Sequence, residues 1–135
     1  MSYAITDIEG IGENYASKLK GVGIDTVEKL LEDGATKSGR SKLAATTGLA
    51  EGFILKWVNH ADLMRIKGVG GQFAELLEAS GVDTVKELRN RVPENLHKKL
   101  AEVNAQKNLV GRMPSANEVA EMVEQAKSLP PIVTY

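Results

Sequence analysis

The chain has 135 residues, of which 42% are hydrophobic and 26% charged, a composition that excludes disordered and fibrous proteins. The absence of cysteine excludes a disulfide scaffold, a thiolate metal site and a cysteine nucleophile, and it predicts a cytoplasmic protein. The net charge of -1 argues against a strongly basic nucleic-acid clamp, and no apolar run is long enough to predict a membrane span.

The first half of the chain is predicted to form four helices. After Gly12, apolar residues recur at the spacing of a short amphipathic helix, which two further glycines stop. An Asp-Thr-x-Glu segment at residues 25–28 then caps a second short helix. Residues 39–46 and 50–59 are predicted to form the third and fourth helices, which are joined at a glycine turn.

Some side chains of these helices, and the end of the chain, carry their own predictions. Apolar stripes place three aromatic residues in the core: Tyr15, Phe53 and Trp57. A small basic cluster is interpreted as solvated surface: Lys37, Arg40 and Lys42. The tail over residues 130–135 is predicted to fray, with docking on a partner as the alternative.

Residues 66–89 repeat the pattern of residues 8–31. Of the 24 aligned positions, ten are identical, whereas about one or two are expected by chance at average composition. Because the identical positions include the glycines, the chain contains a duplicated unit. We therefore divide the chain into residues 1–62 and residues 63–135, and we expect the two repeats to pack as one compact domain.

The last two helices follow the second copy of the repeat. Pro93 suits the first turn of a helix over residues 94–103, and a capping box at residues 115–118 begins a helix that ends near residue 126. An insertion is expected around residues 108–115 in the second copy. Matching segments of the two copies are 57 residues apart before this point and 65 residues apart after it. No pattern of period two predicts a strand, so the predicted fold class is all-α, a pseudo-twofold duplicated helical bundle.

Each copy contains a glycine pair that predicts a hairpin between helices. The segments Ile8-Glu9-Gly10-Ile11-Gly12 and Ile66-Lys67-Gly68-Val69-Gly70 are each followed by Ala and Leu at the same spacing. This pattern resembles the helix-hairpin-helix motif, and it implies a tandem SAM/helix-hairpin-helix-like fold whose units bind DNA non-specifically. Glycine permits the turn, the middle apolar residue fills the groove between the helices, and the next helix begins with unsatisfied amides that suit a phosphate.

The charges favour the second hairpin as the site of nucleic-acid contact. Residues 1–33 carry seven acidic and three basic residues, so we expect the first hairpin to repel a phosphate backbone unless Lys18 and Lys20 turn towards it. The second is preceded by Arg65 and Lys67, and no acid follows it at residues 71–72. We expect it to hold a phosphate of DNA or RNA without reading bases. The candidate nucleic-acid-binding residues of the two hairpins are Gly10, Ile11, Gly12, Arg65, Lys67, Gly68, Val69, Gly70, Gly71 and Gln72.

Two other classes of function stay open at this point. A protein–protein adaptor or scaffold without nucleic-acid contact is the alternative, because residues 1–62 carry nine acidic and seven basic residues. An enzyme is not expected, since no acid pair and no Ser/His/Asp set stands out for catalysis. Two histidines without an acid-rich ligand pattern predict no metal, and neither a cofactor nor a small-molecule substrate is implied.

The whole chain also resembles an uncharacterised bacterial family, a domain of unknown function built on tandem helix-hairpin-helix units. The resemblance rests on the first glycine hairpin, on residues 55–70 and on the ending Leu129-Pro130-Pro131. It spans essentially all 135 residues. It implies the fold described above and no activity.

Overall fold

The computed structural model describes residues 3–135, which form eight α-helices and one short 3-10 helix at Ile5–Asp7. The described residues contain no strand, and one isolated bridge pairs Ala4 with Thr26. The all-α prediction is therefore confirmed. The helices in chain order are α1 (Glu13–Lys20), α2 (Val27–Gly34), α3 (Lys37–Thr47), α4 (Glu51–Leu63), α5 (Gly71–Ala79), α6 (Val85–Leu88), α7 (Pro93–Lys107) and α8 (Ala116–Ser128). None of these helices combines the length and the apolar character that crossing a membrane requires.

The chain divides into two compact units. Unit 1 comprises the residues up to Asp62 together with Ile132–Tyr135, and unit 2 comprises Leu63–Pro131. The sequence-based division placed residues 132–135 with the second repeat, but they pack with unit 1.

In unit 1, hydroxyl caps set where two of the helices begin. The Oγ1 atom of Thr26 accepts a hydrogen bond from the amide of Lys29 at the start of α2, and Thr36 does the same for Gly39 at the start of α3. Helix α2 packs against α3. The core of the unit includes the fully buried side chains of Ile5, Ile8, Leu19, Ile24, Leu30 and Ile54.

In unit 2, the long helix α7 packs against both α5 and α8, and α8 also contacts the single turn of α6. The capping box that the sequence predicts at the start of α8 is present. The amide of Glu118 donates to Ser115 Oγ at 3.1 Å, and the amide of Ser115 donates to Glu118 Oε1 at 3.0 Å. Helix α7 is longer than the predicted range of residues 94–103, because it continues to Lys107. Asn108 caps its end with a left-handed φ of 52°.

The interpretation of Arg40 as solvated surface is wrong. Only 4% of this residue is exposed, and its guanidinium binds the end of α2. Nη1 donates to the carbonyl oxygens of Gly34 at 2.8 Å and Ala35 at 3.0 Å, and Nη2 donates to the carbonyl oxygen of Thr134 at 2.6 Å. Arginine suits this position because its planar fork presents several donors in fixed directions.

The tail does not fray, since it is held in unit 1. The amide of Thr134 donates to the carbonyl oxygen of Ala35 at 2.8 Å, and the hydroxyl of Tyr135 donates to Asn59 Oδ1 at 3.3 Å. The guanidinium carbon of Arg40 lies 5.7 Å from the centre of the Tyr135 ring, within cation–π distance. The buried Arg40 and residues 134–135 of the tail therefore bind each other.

The prediction that Phe53 belongs to the core is also wrong. The residue is 49% exposed, whereas Trp57, one helical turn later on α4, is buried. Its ring centre lies 6.0 Å from that of Trp57 and 6.2 Å from that of Tyr15, and the centres of Tyr15 and Trp57 are 5.1 Å apart. These three residues, the aromatic cluster of unit 1, extend from the core to the surface.

Candidate functional site

The second glycine hairpin joins the end of α4 to the start of α5. The amide of Val69 donates to the carbonyl oxygen of Ile66 at 3.1 Å, which closes a tight turn. Gly68 lies within this turn at a φ of +92°, a conformation that a side chain disfavours. Val69 is completely buried, and Ala74 donates to the carbonyl oxygen of Gly70 at 2.9 Å as α5 begins.

The first glycine hairpin has the same backbone features. The amide of Ile11 donates to the carbonyl oxygen of Ile8 at 3.1 Å, and Gly10 has a φ of +93°. Ile11 is buried, as Val69 is in the second hairpin. The amide of Ala16 donates to the carbonyl oxygen of Gly12 at 2.9 Å, so the hairpin leads into α1 as the second one leads into α5.

Both helices that follow the hairpins begin without a side-chain cap. The N-cap residues Gly12 and Gly70 are extended and have no side chain that can accept from the first turn. In α5, the amides of Gly71 and Gln72 therefore have no acceptor among residues 3–135. They form the positive end of a nine-residue helix, so the start of α5 favours negative charge.

The two predicted basic residues of the second hairpin differ in their exposure and in their contacts. Lys67 is exposed, and its backbone amide donates to Gln125 Oε1 at 3.0 Å, which ties the hairpin to α8. Arg65 is half-buried, and its Nη2 donates to the carbonyl oxygen of Pro130 at 2.7 Å. Of these two residues, Lys67 carries the more accessible cation.

The remaining predicted site residues differ in what they present to solvent. Gly68 and Gln72 are exposed, and Gly70 and Gly71 are half-exposed. In the first hairpin, Gly10 and Gly12 are exposed. The side chains of Ile11 and Val69 are buried, so the two hairpins expose backbone groups and flanking side chains rather than the middle apolar residue.

A groove of about 650 Å³ lies beside the second hairpin, and we call it the hairpin groove. Its walls are the hairpin with the start of α5, the loop over residues 110–114, and one face of α8. Residues of this face recur at the helical spacing of three and four. The residues that line the groove are Lys67, Gly68, Gly70, Gly71, Gln72, Phe73, Val110, Gly111, Arg112, Pro114, Glu118, Glu121, Met122 and Gln125.

An ion pair fixes part of the groove wall. Arg112 Nη2 lies 3.2 Å from Glu118 Oε1. The pKa of the Glu118 carboxyl is lowered, first because it accepts a hydrogen bond from the backbone amide of Ser115, and further because of the nearby Arg112 guanidinium. Glu118 is therefore ionised at neutral pH, which places two acids and two bases around the groove: Glu118, Glu121, Lys67 and Arg112.

A comparison with protein families places most of the chain in one of them. A family model described as "Domain of unknown function (DUF4332)" covers residues 9–129. The chain belongs to this family. No curated protein and no solved structure matches the chain.

The matched range of the DUF4332 domain includes the starts of α1 and α5 and every residue that lines the hairpin groove. Sequence reasoning identified the hairpin side of the groove but missed the opposite wall, which contains Arg112, Glu121 and Gln125. One sequence signal did point to part of this wall, because the insertion expected at residues 108–115 supplies the loop over residues 110–114. No local pattern indicates that this loop and α8 face the hairpin.

Proposed function

We propose that this DUF4332 domain is a nucleic-acid-binding module of two helix-hairpin-helix units, whose second hairpin holds a phosphate of DNA or RNA without reading bases. The observation that carries the proposal is the start of α5. The amides of Gly71 and Gln72 have no acceptor among the described residues, and the exposed Lys67 lies just before them in the same hairpin. Amides at a helix start and a nearby cation are the groups that bind phosphate in proteins.

The tandem architecture is supported by the backbone at the far ends of α1 and α5. The amide of Ile24 donates to the carbonyl oxygen of Leu19 at 2.9 Å, and the amide of Val82 donates to that of Leu77 at 2.9 Å. The glycines that precede Ile24 and Val82 have φ values of +86° and +93°. The two segments that the sequence alignment pairs thus share both their entry turns and their exit turns.

The difference in charge between the hairpins supports the second one as the binding site. Asp7, Glu9 and Glu13 are all exposed around the first hairpin. A phosphate close to these carboxylates is repelled by several like charges, even though the amides at the start of α1 are uncapped as well. The corresponding positions in the second hairpin are Arg65, Lys67 and Gly71, none of which is acidic.

Binding to a mixed-sequence oligonucleotide at low salt tests the proposal. We expect Lys67→Glu to weaken binding about tenfold or more and to lower the dependence of log K on log salt, because one phosphate contact is lost. Fluorescence anisotropy over a series of salt concentrations measures both effects.

Lys20→Glu is the matched control for this experiment. It changes the net charge by the same amount, and Lys20 is exposed at the end of α1 in unit 1. A contact at the second hairpin predicts a much smaller effect for Lys20→Glu than for Lys67→Glu. Equal losses in the two variants, or no binding by the unmodified chain at low salt, contradict the proposal.

The aromatic cluster supports a second candidate function, that of a protein–protein adaptor. Phe53 is 49% exposed and its ring packs against those of Tyr15 and Trp57, so the cluster presents a fixed aromatic surface to solvent. The acidic first hairpin belongs to the same unit, so a partner segment that carries both basic and apolar side chains complements this part of unit 1.

The fluorescence of Trp57 tests the adaptor function, since Trp57 is the sole tryptophan and stacks against Phe53. For an adaptor, an amphipathic Lys/Leu peptide is expected to shift the emission of Trp57, and Phe53→Ser is expected to reduce the peptide affinity about fivefold or more, since the exposed ring supplies apolar contact area. An unchanged emission spectrum at millimolar peptide contradicts this function.

A further inference from the structure

We infer that the hairpin groove accepts the base of an unpaired nucleotide, while the phosphate of that nucleotide lies at the start of α5. This inference rests on the proposed function and makes it narrower, because it predicts that the domain binds single strands in preference to blunt duplexes. The size of the groove, its floor and the polar groups of α8 support this inference.

The size of the groove and its apolar floor suit a planar ring. Its volume of about 650 Å³ lies within the range of pockets that hold small molecules, about 300–1,000 Å³. We call four apolar side chains of the lining the floor of the groove, namely Phe73, Val110, Pro114 and Met122; each is mostly buried and presents a small part of its surface to the groove. A base that enters the groove exchanges water for these apolar contacts on the face of its ring.

The face of α8 supplies a hydrogen-bond acceptor and a donor one helical turn apart. The carboxylate of Glu121 makes no hydrogen bond to the described residues. The Oε1 atom of Gln125 is held by the amide of Lys67, so the Nε2 atom is left as a donor. The polar edge of a nucleobase carries donors and acceptors side by side, and it is therefore complementary to this pair.

The groove adjoins the proposed phosphate site directly. Gly70, Gly71 and Lys67 line the groove and also belong to the second hairpin, so a phosphate there and a base on the floor belong to one nucleotide. In a duplex the bases are paired and stacked, so a protein pocket receives a base only from a single strand or after extrusion from the duplex. This constraint gives the expected preference for single strands.

A variant that fills the groove tests the inference without removing any charge. Gly111 lines the groove and a Cβ atom there has no neighbour within 4 Å, so the backbone accepts a side chain at this position and Gly111→Leu adds bulk to the rim of the groove. The matched control is Gly52→Leu on α4, because Gly52 also has open space around it and belongs to unit 1. Thermal unfolding checks that both variants fold.

The experiment measures the binding of a labelled single strand and of the same sequence as a blunt duplex, at one low salt concentration. We expect the unmodified chain to favour the single strand, and Gly111→Leu to weaken single-strand binding about tenfold, within the range that one base contact contributes. We expect duplex binding to change less than about twofold, because the phosphate contact is retained. Gly52→Leu is expected to bind both ligands as the unmodified chain does.

The outcomes separate this inference from the proposed function. Equal affinity for strand and duplex, together with no effect of Gly111→Leu, overturns the inference and leaves phosphate binding at the hairpin intact. An absence of binding to either ligand overturns the proposed function. Adenosine monophosphate serves as the third ligand, and its binding in the groove without any binding of the strand overturns the assignment to a nucleic-acid strand.

Discussion

Gly39→Ala is expected to lower the free energy of unfolding by about 3 kcal/mol. Gly39 lies in the first turn of α3, where a Cβ atom would overlap the backbone carbonyl oxygen of Asp33 and lie 3.2 Å from Thr36 Oγ1. The carbonyl oxygen cannot rotate away as a side chain does. The end of α2 or the capped start of α3 must therefore shift to accommodate one methyl group.

The matched variant Gly52→Ala is expected to have the opposite sign. Gly52 lies in α4 with no atom within 4 Å of a Cβ position, so alanine adds helix propensity without a clash. We expect it to raise the free energy of unfolding by about 0.5–1 kcal/mol. Helix propensity alone predicts stabilisation for both variants, so urea unfolding followed by circular dichroism separates the two explanations. A stabilising Gly39→Ala contradicts the close approach of Asp33 and Gly39.

Arg40→Met is expected to lower the free energy of unfolding by about 3 kcal/mol as well, for a polar rather than a steric reason. The arginine donates to three carbonyl oxygens, those of Gly34, Ala35 and Thr134. Methionine fills similar space but leaves the buried carbonyl oxygen of Gly34 without the guanidinium, which costs about 1–3 kcal/mol, and it removes the two part-buried hydrogen bonds to Ala35 and Thr134. Arg40→Lys is expected to recover only part of the loss, because an ammonium cannot reproduce the planar fork.

Two further measurements decide whether the lost contact with the tail causes the loss of stability in Arg40→Met. The amide of Thr134 donates to Ala35, so its hydrogen exchange is expected to become fast in Arg40→Met if the tail is released. Arg112→Met is the control, since the Arg112 side chain is 79% exposed and its ion pair is expected to contribute less than about 1 kcal/mol. A slow Thr134 amide in Arg40→Met contradicts the role assigned to the arginine.

Local patterns predict much of this fold because the signals lie within a few residues of their effect. The capping box at Ser115 and Glu118 spans three residues, and it is present at the start of α8. The glycine pairs predict tight turns, and Gly10 and Gly68 both have positive φ values. In each case the partner atoms lie within one turn of chain, so residue types and spacing are sufficient.

The wrong predictions for Arg40 and for the tail involve partners that are distant in sequence. Arg40 is charged and lies between Lys37 and Lys42, so composition favours the surface, yet its guanidinium binds the carbonyl oxygen of Thr134, which lies 94 residues later. Phe53 and Trp57 share one helical stripe, but only the second lies deep enough to be buried. Helical spacing gives the direction of a side chain from its own helix, whereas the edge of the core depends on neighbouring elements.

The candidate site also combines features that local sequence predicts with features that depend on distant residues. The hairpin amides and Lys67 follow from a local motif, whereas the groove requires the 110–114 loop and α8 to lie opposite the hairpin. One contact between the hairpin and α8 is the hydrogen bond from the amide of Lys67 to Gln125 Oε1, across 58 residues. Neither residue type nor spacing indicates this pairing.

The Arg40–Thr134 contact has a consequence for the order of folding. On the ribosome, every residue of unit 2 is synthesised before residues 132–135, which complete unit 1. The guanidinium of Arg40 therefore gains its third carbonyl acceptor only after unit 2 has been synthesised, and closing this contact encloses all of unit 2 in one loop. We expect refolding experiments to detect unit 2 before the native tail, since contacts of large sequence separation form slowly.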